Sequence, residues 1–411
     1  MNAIILPTIL SFVLQPTALA PRDRAAPALP KFKMQEIDNT LSIGYAVLLV
    51  DVDGDGKKDI VVVDTNRVVW YQNPTWKRRV ILQGMTLADN VAIAAFDIDG
   101  DGKLDFALAA DWHGLNPKNS GTLQWLQQGK TMEDPWLLHP IGGEPTAHRI
   151  RFIDLDGTGK PQLVVGPIVG RRATAKNNWL DNPVRLLAFD IPKDPVHDKW
   201  PMHLLDESLH VVHNFWPMAA RGRPGKDLLL ASYEGVSLLS KTATGTWQRR
   251  LVGAGNQENP AGSRGASEIK LGHGGTERFL ATVEPFHGHQ IVIYTPVNDD
   301  QALWHRQVID DQLKWGHAVW PADLNGDGTE EVIVGVRDDK SQEPGERRGV
   351  RIYQASDDLL THWTRTIVDD GGIAVEDLAA ADLDGDGKID IVAVGRQTHN
   401  VRIYWNEGIK K

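Results

Sequence analysis

Carboxylate side chains recur in short glycine-rich loops at four places in the sequence, each with the pattern D-x-D-G-D-G-x-x-D or a close variant. The first, third, fifth and ninth positions place side-chain oxygens around a tight turn, and the seventh can offer a backbone carbonyl. Oxygen ligands in a short flexible loop suit Ca²⁺ better than Zn²⁺ or Mg²⁺. The predicted calcium ligands are Asp51, Asp53, Asp55, Asp59, Asp97, Asp99, Asp101, Asp105, Asp323, Asn325, Asp327, Glu331, Asp382, Asp384, Asp386 and Asp390.

A fifth copy of the loop begins at Asp154 and has Thr158 and Gln162 where acids are expected. We therefore predict weak calcium binding there, or none. Aspartate and glycine dominate ordinary turns, so an acidic turn without metal is the alternative for all these loops. Repetition of the ligand spacing favours calcium, which would hold hairpin turns and need not contact a substrate.

Each acidic loop lies between two apolar segments that have the composition of strands. A third strand follows, as in RVVWYQNP and NVRIYWNEG, and a fourth carries Trp and basic residues, as in WKRRVIL and WTRTIV. Two further units, which begin at His213 and Ser267, keep this order without the acidic loop. The sequence therefore contains seven units of short strands.

The seventh unit has only three strands before the chain ends, and the segment KFKMQEI, Lys31 to Ile37, has the composition of the missing fourth. A first strand that completes the last unit closes a ring and leaves no long exposed sheet edge. We therefore predict an all-β fold, a seven-bladed β-propeller of four-stranded blades, over residues 31–411. Most of the tryptophans are then expected to fill the space between blades.

The N-terminus indicates a secretory signal over residues 1–20, because an apolar stretch ends in the A-x-A-like tripeptide ALA. A short buried helix or strand is the alternative. Residues 21–30 would form a linker, and we expect a secreted or periplasmic protein without a membrane span. The formal net charge of −10 argues against nucleic acid as a partner. The absence of cysteine excludes disulfides and thiolate metal sites.

One position of the repeat carries residues that packing alone does not require. It lies six residues before the first Asp of the loop, at the start of the innermost strand, and reads Tyr45, Val91, His148, His213, either Ser267 or Lys270, His317 and Glu376. In a propeller this position reaches the same end of the channel as the connections between second and third strands, opposite the acidic loops. We predict a site at that end formed by His148, His213, His317, Glu376 and Tyr45.

Four more histidines lie in the connections at that end, His113, His287, His289 and His399, and a surface role and a site role are equally compatible with each. Neutral imidazoles around a funnel suit a divalent metal whose shell is completed by water. Acid–base catalysis without metal is the alternative. No nucleophile elbow, P-loop or dinucleotide fingerprint is present. Proton abstraction next to a carbonyl suits the predicted site, because a cation can stabilise the enolate while a second group protonates the leaving oxygen.

The acidic loops between paired strands resemble the FG-GAP or VCBS-type repeats of calcium-binding seven-bladed propellers, over nearly the whole mature chain. That fold serves adhesion modules, lectins and enzymes, so this resemblance implies fold and calcium binding rather than a function. The segments HNFWPMAA and HAVWPADLNGDG are also similar to the propeller domain of the aldos-2-ulose dehydratases. That family eliminates water from keto-sugars such as 1,5-anhydrofructose, using a metal at the propeller. Its fungal members also carry cupin domains, which we do not find in the sequence, so we expect the later isomerisation step to be missing.

This second resemblance implies that His148, His213 and His317 are metal ligands or acid–base groups, with Glu376 and Tyr45 nearby. The first functional hypothesis is therefore a secreted, metal-dependent lyase that acts on a small oxidised carbohydrate. Its cofactors would be Ca²⁺ at the loops and Zn²⁺ or another divalent metal at the histidines. The alternative is a non-catalytic extracellular calcium-binding module that binds a glycan or a protein. No feature of the sequence indicates an oligomeric state.

Overall fold

A computed structural model describes residues 28–113, 115–275, 277–299, 302–337 and 347–409. The predicted signal sequence and most of the predicted linker lie outside these residues. The first half of the described chain forms β1 (Phe32–Asp38), β2 (Gly44–Val50), β3 (Asp59–Asp64), β4 (Arg67–Gln72), β5 (Lys77–Gln83), β6 (Ala92–Phe96), β7 (Asp105–Ala110), β8 (Thr122–Gln127), β9 (Leu137–Gly143), β10 (Ala147–Ile153), β11 (Gln162–Pro167), β12 (Val184–Asp190) and β13 (Met202–Leu209). One 3-10 helix, Ala175–Asn177, lies between β11 and β12.

The second half continues with strands of similar length. They are β14 (Asn214–Ala219), β15 (Lys226–Ser232), β16 (Gly235–Lys241), β17 (Trp247–Gly253), β18 (Glu268–Gly274), β19 (Glu277–Glu284), β20 (Gln290–Thr295), β21 (His305–Asp310), β22 (Gly316–Ala322), β23 (Glu331–Val336), β24 (Gly349–Ala355), β25 (Trp363–Asp370), β26 (Val375–Ala381), β27 (Asp390–Gly395) and β28 (Val401–Asn406). Within the described residues, no helix is long and apolar enough to cross a membrane.

These strands form seven antiparallel sheets of four strands, each with its strands in sequence order except the last. The last sheet has the order β1-β28-β27-β26, with Phe32 paired to Asn406. Each innermost strand contacts its neighbour, and β2 contacts both β6 and β26, so the blades close a ring. The predicted seven-bladed propeller is confirmed, and the closing strand begins and ends one residue later than predicted.

The second strand of a blade is its most buried element. Every residue of β3, β7, β23 and β27 is buried, because neighbouring blades cover both faces of these strands. Continuous apolar runs such as IVVV in β3 satisfy that environment. Trp70, Trp125 and Trp200 are almost completely buried, as expected for residues that pack between blades.

Antiparallel pairing gives the ring two chemically different ends. The loops between the first and second strands, which include the acidic loops, lie at one end, called here the acidic-loop end. The first residues of the innermost strands and the connections between second and third strands lie at the other, called here the histidine end. The central channel, lined by β2, β6, β10, β14, β18, β22 and β26, joins the two ends.

Candidate functional site

Three histidines from three blades meet at the histidine end of the channel. His213 directly precedes β14, His317 is the second residue of β22, and His287 lies in the turn between β19 and β20. The Nε2 atoms of His213 and His287 are 3.3 Å apart, and each of the three side chains offers a ligand atom within 4.8 Å of the others. We call these residues the histidine trio.

His148, the second residue of β10, lies beside the trio. Its ring centroid is 4.9 Å from that of His213 and 5.0 Å from that of Trp112. Both ring nitrogens of His148 are buried without a hydrogen-bond partner among the described residues. The sequence therefore placed His148 correctly at this end, but the three side chains that come together are those of His213, His287 and His317.

Bulges in the innermost strands aim several of these side chains into the channel mouth. The pairing register of the first two strands shifts by one residue at Tyr45, His148, His317 and Glu376. A bulge inserts one unpaired residue and turns its side chain away from the regular alternation, and bulges are common beside active sites. The column predicted from the repeat is therefore partly a column of bulges.

Each member of the trio is held by a group on the far side of its ring. Nδ1 of His213 lies 2.9 Å from Oε1 of Glu268, and Nδ1 of His317 is hydrogen-bonded to the backbone carbonyl of Glu376. Arg337 Nη2 lies 3.3 Å from Nδ1 of His287. The carboxylate and carbonyl partners of His213 and His317 are of the kind that fixes the orientation of metal-binding imidazoles and raises their basicity, whereas the Arg337 guanidinium can only donate to His287.

Burial and nearby cations keep these imidazoles neutral. Burial is the largest cause that lowers the pKa of His148, His287 and His317 well below the ordinary value, and Arg149 and Arg337 add to the effect. The pKa of His213 is also lowered by burial, while Glu268 acts in the opposite direction. Neutral imidazole is the form that binds a metal ion.

Tyr45 and Glu376, the other two predicted site residues, are engaged by neighbours. Tyr45 Oη donates to Asp89 at 2.9 Å, and burial raises the pKa of the Tyr45 phenol. The Glu376 carboxylate accepts hydrogen bonds from Arg337 at 2.7 Å and from Arg396 at 2.9 Å. Both side chains are therefore engaged by neighbouring residues, and a catalytic role for either stays a prediction.

The sequence left a surface role and a site role equally open for His287, and it did not select Glu268. His287 lies in a connection whose length differs between blades, so the repeat gives it no aligned position. The fifth blade has no acidic loop from which to align its innermost strand. The backbone hydrogen bonds show that Ser267 occupies the column: its N–H donates to the carbonyl of Val283, as the N–H of His213 donates to the carbonyl of Ala231. Glu268 is the next residue, and only its buried contact with His213 reveals it.

The acidic loops share one hydrogen-bond pattern at the opposite end. In the first loop the Asp51 carboxylate accepts N–H groups of Gly54 at 2.8 Å and Gly56 at 2.9 Å. Asp59 accepts N–H groups of Val52 and Asn73. Carboxylates converge within 4.8 Å in three loops, as Asp51/Asp53/Asp59, Asp97/Asp99/Asp101 and Asp382/Asp384/Asp390.

The remaining predicted calcium ligands have other partners. Asp55 accepts the N–H of Lys57, Asp105 those of Ile98 and Gln128, and Asp386 that of Lys388, whose side chain also contacts it. In the sixth blade Asn325 Nδ2 donates to Glu331 at 2.9 Å, beside Asp323 and Asp327. In the Asp154 loop, Gln162 accepts the Leu155 N–H at 3.2 Å in place of an acid.

The buried acid of each loop has a raised pKa. Burial is the largest cause, and a neighbouring carboxylate adds to it. The pKa reaches about 6 for Asp59, Asp105 and Asp390 and about 7 for Glu331. Buried carboxylate oxygens with other carboxylates nearby fit a hard cation such as Ca²⁺.

Two family models match different segments of the chain. Residues 51–108 and 323–393 match the FG-GAP-like repeat, and residues 120–297 match the family described as aldos-2-ulose dehydratase, beta-propeller domain. The chain carries FG-GAP-like repeats and resembles this propeller domain. Both resemblances predicted from the sequence are confirmed, the first for its repeats and fold, and calcium binding stays a prediction.

The aldos-2-ulose dehydratase of Phanerodontia chrysosporium is 27% identical over 296 residues, which are 67% of this chain and 32% of that enzyme. The chain therefore spans about a third of the length of this relative. The crystal structure of BBS1N in complex with ARL6DN, soaked with mercury, aligns with a TM-score of 0.53 and 12% identity, over 93% of this chain and 97% of that one. That likeness shows the fold alone.

Proposed function

We propose that the protein is a metal-dependent lyase that eliminates water from an oxidised (keto) sugar at the histidine end. The observation that carries this proposal is the histidine trio, neutral imidazoles from three blades, two of them buried, with a carboxylate behind His213. The similarity of residues 120–297 to the dehydratase propeller supports it, because His148, His213, Glu268 and His287 all lie in that segment. Calcium at the acidic loops and a location outside the cytoplasm are parts of the same proposal.

Two members of the trio have the spacing of ligands on one divalent metal, and the neutral imidazoles have the form that binds it. Two ligands of a tetrahedral Zn²⁺ with bonds of about 2.0–2.1 Å are separated by about 3.3–3.4 Å, and the Nε2 atoms of His213 and His287 are 3.3 Å apart. The same separation is long for a hydrogen bond between two nitrogens. A metal bound by His213, His287 and His317 would polarise the sugar carbonyl and so favour loss of a proton from the adjacent carbon.

His148 is the best placed group to move that proton. Tyr45 and Glu376 are already engaged, whereas both nitrogens of His148 are buried and unpaired within the described residues. In the proposed elimination His148 takes the proton from the carbon next to the carbonyl, and the C–O bond at the following carbon breaks. Because burial disfavours the imidazolium, His148 returns the proton to the departing hydroxyl, and water and an enone are the products.

Access and support come from neighbouring residues. His287 is the only partly exposed member of the trio, with the buried His213 and His317 beneath it, so solvent reaches the site past His287. Trp315 is 51% exposed and stacks on the His287 ring at 6.2 Å. An exposed aromatic face beside buried polar groups is typical of a small-molecule site.

The experiment is incubation of the purified protein with a panel of keto-sugars, with and without added Zn²⁺ or Mn²⁺, while enone absorbance is followed. We expect absorbance to develop with at least one keto-sugar and not with the corresponding reduced alcohols. His148→Gln should slow the reaction while metal content stays unchanged, since His148 moves the proton and does not hold the metal. A panel with no enone formation in any metal condition would reject the lyase and favour the binding module.

A further inference from the structure

The middle of the central channel contains a second group of charged residues, separate from the histidine trio. A cavity of about 430 Å³ runs along the channel, and its lining includes Arg149, Arg151, Lys270 and Asp377. These four side chains come from three innermost strands, β10, β18 and β26. Their charges therefore face one another across the axis of the propeller.

The charges in this cavity do not balance. Arg149 Nη2 donates to Glu268 at 3.1 Å, and the Asp377 carboxylate accepts the N–H groups of Val47 and Leu378. Nη1 of Arg151 is buried without a hydrogen-bond partner among the described residues. Lys270 is only 6% exposed. Together with Glu268, the three cations of the channel interior face two carboxylates, which leaves one positive charge in a place where an uncompensated charge is costly. Lys58, the fourth cation of the lining, is exposed to solvent.

Burial acts on both of the cations that lack a carboxylate of their own. It is the first cause that lowers the pKa of Lys270 to about 8, against the raising effect of Glu268. It also lowers the pKa of Arg151 to about 10, and Arg149 adds to this effect. A lowered pKa is expected for a cation that is removed from water without a carboxylate partner.

Aromatic rings hold these two cations in place. Lys270 Nζ lies 4.4 Å from the ring centroid of Trp216 and 5.6 Å from that of Trp320. The Arg151 guanidinium lies 5.0 Å from the Trp216 ring and 4.9 Å from that of Phe215. Stacking orients a cation without neutralising it, so the cavity has fixed positive groups beside flat apolar walls.

The cavity is reached from the acidic-loop end. Its lining continues to Val50, Lys58 and Ala381, which lie at the ends of β2 and β26 or in the first acidic loop. Val50 and Ala381 are half-buried and Lys58 is exposed, so solvent enters there. Asn214 and Arg149 mark the inner limit, where both donate to Glu268 behind His213.

We propose that this cavity binds a small organic anion, a carboxylate of monosaccharide size or smaller, through Arg151 and Lys270. The uncharged part of the ligand would lie against Trp216 and Trp320. One carboxylate supplies the single negative charge that the cluster lacks. The proposal does not depend on chemistry at the histidine end, and its test requires no enzymatic activity.

The test is calorimetric titration of the full chain, loaded with calcium, with sodium glucuronate, acetate, phosphate and chloride at constant ionic strength. Glucose is the matched uncharged ligand. We expect saturable binding of glucuronate, at least tenfold tighter than that of chloride or phosphate, and none of glucose. Equal affinity for chloride or phosphate would overturn the organic class, and absence of saturable carboxylate binding would overturn the site.

Two variants locate the binding. Lys270→Met and Arg151→Met should each weaken glucuronate binding at least tenfold, with circular dichroism and calcium content as checks of folding. Lys33→Met, on the exposed face of the outermost strand β1, changes the net charge equally and should leave the affinity unchanged. An unchanged affinity in whichever of the two cavity variants folds, or an equal loss in Lys33→Met, would contradict the proposal.

Discussion

The two ends of the propeller place different residues in the same backbone conformation. At the acidic-loop end positive φ angles fall on glycines, such as Gly54, Gly56, Gly100, Gly102, Gly326, Gly328, Gly385 and Gly387. At the histidine end they fall on glycines such as Gly121 and Gly235, and also on Asp111, His113, Thr146, Arg172, Asn178, Trp179, Val211, His287, Trp315 and His399. Within the described ranges, Trp76 and Leu360 are the non-glycine residues with positive φ at the acidic-loop end, and they lie in turns between third and fourth strands, outside the acidic loops.

This difference separates scaffold from site. Glycine adopts positive φ without steric penalty, whereas other residues are disfavoured there by about 1–2 kcal/mol. The acidic loops therefore have the relaxed geometry of a structural clip. The histidine end keeps strained residues and bulges, which concentrate where side chains must be aimed. We infer that the acidic-loop end serves stability and the histidine end serves chemistry, and the following predictions test that division.

The largest effect is expected from His317→Ala. Loss of a residue of the trio should reduce enone formation by more than ~100-fold, since loss of a supporting group alone costs about 10–100-fold. Calcium content and thermal stability should stay close to those of the unsubstituted protein. His203→Ala, an exposed histidine that pairs with Asp190 on an outer strand, is the control. Retained activity in His317→Ala would remove this residue from the proposed mechanism.

Glu268→Gln should have the next largest effect. The Glu268 carboxylate orients His213 and remains ionised, because Arg149 and His213 lower its pKa despite burial. Its neutral replacement should weaken metal binding by about 10–100-fold, measured by competition with a chelator. A shift of metal affinity with unchanged calcium content assigns Glu268 a positioning role. Equal metal affinity in both proteins would make its contact with His213 merely structural.

A change at the other end should affect stability and not activity. Asp53→Asn removes one carboxylate of the first loop and should lower bound calcium by one ion per chain. With free calcium ~100-fold above the Kd, loss of that ion removes about 2–3 kcal/mol of stability. Asp156→Asn, at the same position of the loop that has Thr158 and Gln162, is the matched control and should leave the calcium count unchanged. An altered calcium count in Asp156→Asn alone would reverse the assignment of the loops.

The smallest effect is a dependence of calcium stabilisation on pH. The pKa of Asp59, Asp105 and Asp390 is raised to about 6 in the folded protein, above the ordinary value of about 3.9. Without calcium, stability from their protonated forms is present below pH ~4 and is lost as the pH rises through about 6. Calcium binds the ionised forms, so it should raise the melting temperature more at pH 7.5 than at pH 5. An equal or smaller increase at pH 7.5 would count against calcium at these acids.

The repeat made the fold and part of the site readable from the sequence. The spacing between the acidic loop and the innermost strand is constant, so the sequence alone assigns Tyr45, His148, His317 and Glu376 to one column. The same method did not select His287, because connections between second and third strands vary in length. It did not reach Glu268 either, since its role depends on a buried contact between two blades. Functional residues at repeating positions could be predicted from the sequence, whereas those in irregular connections or in contacts between blades required the structure.

The most direct measurement is the metal content of the unsubstituted protein and of His213→Ala after dialysis against calcium-containing, chelator-treated buffer. We expect calcium in both proteins. The unsubstituted protein should also hold one zinc or similar divalent ion per chain, and His213→Ala should lose that ion. Calcium as the sole metal in the unsubstituted protein, even after incubation with zinc and manganese, would contradict this expectation. The histidine end would then hold no second metal.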